Sequence, residues 1–198
     1  KTGQKKLPVL FDKETTIHDS SSIIRHLEKI EIEPKLIPEG RREASQVQII
    51  ENWADTTLAK ATRLELLKAA VIDPSLLEAF FPEDLPKPFN SLIYKLPNKL
   101  IHGINELLNQ GQRNSLLTNL EQLADSVSSR PWLIGDSLSI ADIAVSAQLS
   151  LLRFPSSSGP SLNGKGCPGF ADNPKLQPLF KWRDELEKII LEIDPANI

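Results

Sequence analysis

A proline-entered apolar segment and a downstream Asp-Ser pair are the residues of this chain best suited to binding a ligand. Pro8 has no backbone N–H and holds Leu7 extended, so that Leu7 can offer its own N–H and C=O to an extended ligand. Asp19 and Ser20 open a helical pattern, and the first turn of a helix leaves N–H groups unpaired. Such a terminus binds carboxylates or phosphates. The two features together indicate a site for a peptide-shaped anion.

Two short β-rich runs and one helix must position these residues. The runs cover residues 9–11 and 15–18, and the three residues between them suit a hairpin. The periodic apolar residues that follow predict a helix over about 20–30. Pro34 and Pro38 then indicate a linker that separates this part from everything after it.

The rest of the chain has the pattern of helices. Apolar residues at three- and four-residue steps predict a long amphipathic helix from 41 to about 70, and further helices near 100–108, 116–127, 140–153 and 176–193. Four prolines between 81 and 97 interrupt the pattern and predict an irregular stretch there, within an excursion at 71–112, and we expect residues 155–169 to form a loop. The helix from Ile140 is apolar most of the way around, which predicts a position at the centre of its domain. Ser139 and Asp142 have the spacing of a capping box at its start.

Two segments of the sequence resemble the glutathione S-transferase superfamily. That family has a thioredoxin-like glutathione-binding domain with a G-K-V-P-x-L entry and an E/Q-S helix start, which here read Gln4-Lys5-Lys6-Leu7-Pro8-Val9-Leu10 and Asp19-Ser20. Lys5 replaces the glycine, Leu7 the frequent valine, and Asp19 the Glu or Gln. The family's signature before the central helix of its helical domain is similar to Trp132-Leu133-Ile134-Gly135-Asp136-Ser137-Leu138-Ser139-Ile140-Ala141-Asp142. Two motifs in the family's order are stronger evidence for the resemblance than either motif alone.

The resemblance implies a fold and its division into domains. We expect an α/β, thioredoxin-like N-terminal part that is incomplete here, followed by an all-α C-terminal domain. Residues 1–34 would be the C-terminal half of the glutathione-binding domain, and residues 41–198 the all-helical domain. The sequence does not begin with methionine, and we interpret it as a fragment of a longer protein. The resemblance then implies that the first strand, the first helix and the second strand of the thioredoxin-like domain precede Lys1, with the family's catalytic Tyr, Ser or Cys. No catalytic residue is assigned within the sequence.

The resemblance also implies a glutathione site made of Lys6, Leu7, Pro8, Asp19 and Ser20. The backbone of Leu7 would pair with the cysteinyl unit, and we expect a cis peptide bond before Pro8. Ser20 would donate its hydroxyl and N–H to the γ-glutamyl carboxylate, and Asp19 would pair with the ammonium group. An ordinary helix cap is the alternative for Asp19 and Ser20, and a plain solvated charge is the alternative for Lys6.

The implied activity is transfer of the glutathione thiol to a small hydrophobic electrophile. Glutathione would then be a substrate, and the thiolate would be the nucleophile. Members of the family are commonly two-fold homodimers, which makes a homodimer the expected assembly. The alternative is a non-catalytic binding or interaction module, because the same fold serves both purposes.

Composition excludes several other classes of protein. The 198 residues are 40% hydrophobic and 25% charged, which suits a globular protein with a sizeable core. A net charge of −3 gives no electrostatic basis for nucleic-acid binding. No apolar run approaches the roughly 18–20 residues of a membrane span. The single cysteine, Cys167, excludes an intrachain disulfide and suits a reducing, cytoplasmic compartment.

Other side chains that could do chemistry have simpler interpretations. The three histidines have no metal-ligand spacing, and we predict no metal site. Cys167 has no neighbouring His or Cys in sequence to activate it, so that we interpret it as a bystander thiol. The segment Gly164-Lys165-Gly166 is weak evidence for phosphate binding. Four aromatic residues could line an acceptor pocket, but aromatic residues at helical spacing are more often in the core, and we assign them to it: Trp53, Tyr94, Trp132 and Trp182.

Overall fold

The computed structural model describes residues 8–30, 34–73, 75–76 and 110–192 of the chain. Lys6, Leu7 and Tyr94 lie outside these ranges, and so does the peptide bond that joins Leu7 to Pro8. Most of the proline-rich excursion and the helical pattern near 100–108 lie outside them as well.

An antiparallel hairpin and a helix form the first part of the described chain. Strands β1 (Val9–Asp12) and β2 (Thr15–His18) pair with Val9 opposite His18. Helix α1 (Ser20–Lys29) follows directly, and its His26 Nε2 lies 2.8 Å from Asp12 Oδ2 on β1. This contact joins the helix to the hairpin. The hairpin and helix expected from the sequence are both present.

A long helical segment follows the linker and contains one irregular turn. It consists of α2 (Arg41–Trp53), a π-helical turn (Ala54–Leu58) and α3 (Ala59–Ile72). The amphipathic pattern predicted this helix over nearly its whole length. The π turn was not predicted, because its wider winding depends on the neighbouring packing rather than on a spacing rule. Such turns are frequent at functional sites.

Three further helices complete the described helical part. They are α4 (Gln110–Ser129), α5 (Ile140–Leu152) and α6 (Gln177–Glu192). Helix α5 contacts α2, the π turn, α3 and α6, and its Val145, Leu149 and Leu152 have no solvent exposure. The central position predicted for α5 is therefore confirmed. Trp182 on α6 is buried and donates its Nε1–H to the carbonyl of Pro131 at 2.6 Å.

The linker packs against the start of α5. The backbone N–H of Ile140 donates to the carbonyl of Leu36 at 3.0 Å, and the N–H of Leu36 donates to Glu28 Oε1 at 2.7 Å. Val47, Ile140 and Ala141 form a small buried apolar cluster, against which side chains of α1 and the linker pack: Ile24, Leu36 and Ile37. Helix α1 is thereby held beside α2 and α5.

None of the helices within the described ranges is both long enough and apolar enough to cross a bilayer.

Candidate functional site

Asp19 occupies the N-cap of α1 in a backbone conformation that is unusual for its type. Its φ is 74°, in the left-handed region, which few non-glycine residues adopt. Its Oδ2 accepts hydrogen bonds from the N–H of Ser22 at 3.2 Å and from the Ser22 hydroxyl at 3.3 Å. Strained positions of this kind concentrate at functional sites. The expected Asp-Ser helix start is therefore present, with Asp19 as the capping residue.

Ser20 is the first residue of α1 and is exposed. The backbone N–H groups of Ser20 and Ser21 lie in the first turn, where the helix has no carbonyl group to accept their hydrogen bonds. Both hydrogen bonds of the cap go to Oδ2 of Asp19, and none of the described residues is bonded to Oδ1. The exposed N-terminal end of α1 thus lies beside the exposed carboxylate of Asp19.

The hairpin brings the start of β1 next to this helix end. Val9, which follows the exposed Pro8, is the Cα partner of His18, and His18 directly precedes Asp19. Pro8, Asp19 and Ser20, three of the five site residues expected from the sequence, therefore lie at one end of the hairpin. The other two, Lys6 and Leu7, lie outside the described residues.

Asp55 on the π turn adds a second carboxylate to the electrostatic environment of Asp19. Partial burial raises the pKa of Asp55 above its usual 3.8, and the negative charges of Glu51 and Asp19 raise the pKa further, while Arg63 opposes them. Sequence reasoning missed Asp55. The four-residue spacing of Glu51 and Asp55 places both carboxylates on one helix face, but it does not indicate that this face lies toward α1.

Glu51 links α2 to α1. Its side chain is buried, and its Oε2 lies 3.4 Å from the Arg25 guanidinium of α1, while its Oε1 has no hydrogen-bond partner. This ion pair holds α1 against α2 and offsets only part of the local negative charge. The site combines a positive helix end with acidic side chains, which are the complements of a carboxylate and an ammonium group respectively. It therefore suits the α-amino-acid end of a zwitterionic ligand.

The other candidate groups have structural roles. Cys167 is buried, and the burial raises the pKa of its thiol to about 12, which opposes formation of a nucleophilic thiolate. This environment agrees with its interpretation as a bystander. Gly166 pairs with Arg153 in an isolated antiparallel bridge. Across the described part of the chain, no three His, Cys, Asp or Glu side chains are placed together to hold a metal ion.

Comparison with solved structures identifies the fold. The structure is similar to the crystal structure of a glutathione S-transferase from Rhodospirillum rubrum F11, with a TM-score of 0.56 and 20% sequence identity. The match covers 96% of this chain and 68% of that chain. Neither a scan of protein-family models nor a search of curated protein sequences gives a match.

The chain therefore has a glutathione S-transferase-like fold. The hairpin and α1 form part of a thioredoxin-like N-terminal region, and the helices from α2 onward form the helical C-terminal domain. The fold class expected from the two sequence motifs is confirmed.

Proposed function

We propose that this protein binds glutathione at the start of α1 and serves as a glutathione transferase for a small hydrophobic electrophile. The observation that carries the proposal is the left-handed backbone of Asp19 at a helix N-terminus where Ser20 is exposed. In this proposal the N–H and hydroxyl of Ser20 bind the γ-glutamyl carboxylate, and Asp19 Oδ1 binds the ammonium group. Lys6, Leu7 and Pro8 would contact the remainder of the tripeptide.

The acidic neighbours of Asp19 support this orientation of the ligand. A carboxylate whose pKa is raised by burial and by other carboxylates is stabilised when a cation approaches it. The ammonium group of glutathione supplies that cation, and we propose that Asp55 strengthens its binding. The glutathione S-transferase-like fold supports the choice of glutathione over other zwitterionic peptides.

Calorimetric titration with glutathione tests the site directly. Ser20→Ala removes one hydroxyl donor to a carboxylate, so that we expect the dissociation constant to rise roughly ten- to hundredfold. Because Asp19 is the residue that caps α1, the same substitution should change the free energy of unfolding by less than about 0.5 kcal/mol. Ser45→Ala, at an exposed serine of α2, is the matched control and should bind glutathione as the parent does.

The opposite result would reject the site. If Ser20→Ala binds glutathione as tightly as the parent, the start of α1 is an ordinary helix end. The conjugation assay needs the protein with the upstream segment that is expected to carry the catalytic residue. If that protein binds glutathione and yet forms no conjugate with an aryl halide such as 1-chloro-2,4-dinitrobenzene, the non-catalytic binding module is the correct function. Conjugation that Ser20→Ala slows mainly through a higher KM for glutathione would support the transferase.

We also propose a two-fold homodimer, as is common for proteins of this fold. Light scattering at micromolar concentration should give twice the monomer mass, and a monomer would contradict the proposal.

A further inference from the structure

The loop between α5 and α6 carries the one asparagine–glycine pair of the sequence, Asn163-Gly164. Both residues are exposed, and a Cβ at Gly164 would have no atom within 4 Å. Because glycine has no side chain, little hinders its backbone nitrogen from attacking the side-chain amide carbon of the preceding asparagine. An asparagine in this position is therefore chemically labile wherever the backbone is free to move.

The reaction is an intramolecular substitution followed by hydrolysis. The backbone nitrogen of Gly164 forms a bond to Cγ of Asn163, the bond from Cγ to Nδ2 breaks, and ammonia leaves with the proton that the backbone nitrogen has lost. Water then opens the resulting five-membered ring. Cleavage of the new bond gives aspartate, whereas cleavage of the original peptide bond gives isoaspartate, whose main chain runs through Cγ and contains one more carbon atom. Water is the only co-reactant.

Backbone hydrogen bonds hold the attacking nitrogen in the folded protein. The N–H of Gly164 donates to the carbonyl of Phe154 at 3.0 Å, and the N–H of Phe154 donates to the carbonyl of Lys165 at 2.8 Å. These two bonds pair the Asn-Gly turn with the chain directly after α5. The nitrogen must lose its proton to react, and a hydrogen bond that it donates stabilises the N–H form and fixes the peptide plane. The closed loop therefore opposes the reaction.

Two side-chain contacts tie this loop to neighbouring elements. The Ser157 hydroxyl donates to Glu187 Oε1 of α6 at 2.6 Å, and Lys165 Nζ donates to the Ser75 hydroxyl, beyond the end of α3, at 2.9 Å. The first contact is exposed and the second is partly buried. Segments held mainly by such contacts open locally at a lower free energy than the whole protein unfolds. The loop can therefore open while the helices stay folded.

We propose that Asn163 is a site of spontaneous deamidation whose rate is set by local opening of the loop at 155–165. The closed loop protects Asn163 through the hydrogen bond from Gly164 to Phe154, and the open loop reacts. Conversion to isoaspartate lengthens the main chain directly before Gly164, so that the pairing with Phe154 cannot form again in the same geometry. The modification site is distinct from the start of α1 and does not depend on glutathione.

Peptide mass spectrometry after incubation at mildly alkaline pH measures the conversion of Asn163 to aspartate and isoaspartate. We expect the guanidinium-unfolded chain to convert at least about tenfold faster than the folded protein, because the pairing with Phe154 is absent from it. Gly164→Ala should slow the conversion in the unfolded chain, since the added methyl group hinders the attack. Equal rates in the folded and unfolded protein, or no conversion in the unfolded chain, would overturn the proposal.

Three substitutions distinguish opening of the loop from unfolding of the whole protein. Ser157→Ala removes the contact with Glu187 and should speed the conversion of Asn163 in the folded protein roughly two- to tenfold. Ser161→Ala, at an exposed serine of the same loop, is the matched control and should not change the rate. Ser139→Ala removes part of the capping box of α5, outside the loop, and should not change the rate either. If Ser157→Ala converts no faster than the control, or if Ser139→Ala speeds the conversion equally, the proposal is wrong.

Discussion

The carboxylate of Asp142 accepts a hydrogen bond from the backbone N–H of Leu133 at 2.8 Å, nine residues earlier in the chain. The same carboxylate accepts from the N–H and the hydroxyl of Ser139, at 2.9 and 2.6 Å. Asp142 has no solvent exposure. One side chain thus closes the loop before α5 and also caps the helix.

Replacing Asp142 should destabilise the protein more than loss of a simple helix cap would. Asp142→Ala leaves the buried N–H groups of Leu133 and Ser139 without acceptors, so that we expect a loss of about 3 kcal/mol or more in the free energy of unfolding. Ser139→Ala should lose about 1 kcal/mol, the usual cost of removing a cap. Urea denaturation measures both. Asp136→Ala, at an exposed site of the same loop, is the control, and a loss at Asp136 equal to that at Asp142 would contradict this role.

Asp55→Asn should have opposite effects on stability and on glutathione binding. Because the folded-state pKa of Asp55 is raised, the folded protein binds its proton more strongly than the unfolded chain does. Stability therefore falls as pH rises from the usual 3.8 through the folded-state pKa. The variant should be more stable than the parent at neutral pH, and the difference should disappear on acidification. Denaturation curves of both proteins across this pH range test whether the variant is the more stable one at neutral pH.

The binding half of this prediction needs a separate titration. We expect Asp55→Asn to bind glutathione more weakly, because it removes a negative charge near the ammonium group. Asp125→Asn, on the exposed surface of α4, serves as the charge-matched control. Weaker binding by both variants would indicate a general effect of net charge rather than a contact at the site.

Cys167 should resist thiol reagents while the protein is folded. With a pKa of about 12, its thiolate fraction at pH 8 is on the order of 10⁻⁴, and the thiol is 1% exposed. Ellman's reagent should therefore react at least about a hundredfold more slowly than with the guanidinium-unfolded protein. Equal rates in the two states would show that the loop around Cys167 opens readily.

Gly166 and Gly164 should respond differently to alanine. A Cβ at Gly166 would lie 2.1 Å from the carbonyl oxygen of Leu152 and 2.8 Å from Arg153 Cα, both backbone atoms that cannot move aside easily. Gly166→Ala should therefore lower the free energy of unfolding by about 3 kcal/mol or more, which is the upper end of the effect of overpacking. A Cβ at Gly164 would have no atom within 4 Å, and only the φ of 75° disfavours alanine there. Gly164→Ala should therefore lower the free energy of unfolding by only about 1 kcal/mol. Thermal denaturation of the two variants distinguishes the effects.

Local patterns in the sequence were sufficient to predict most of the described helices and the hairpin. The spacing of Ser139 and Asp142 predicted the capping box, and apolar residues at three- and four-residue steps predicted the long helix from Arg41. These features depend on residues within one or two turns of one another, where helix geometry leaves few alternatives. The sequence also predicted the helix start at Asp19 and Ser20, but it did not predict the left-handed backbone of Asp19. Glutathione binding at that position stays a prediction.

Tertiary structure alone decided which distant side chains meet. Asp55 and Asp19 are 36 positions apart and share one electrostatic environment only because α1 packs beside the long helical segment. Glu65 and Arg113 likewise form an ion pair across α3 and α4, and no spacing in the sequence relates them. Sequence periodicity specifies which face of a helix is buried, but the neighbour that covers this face depends on how the helices pack. For that reason the sequence determined most of the described elements, and their packing determined the acidic environment of Asp19 and the ion pair of Glu65 with Arg113.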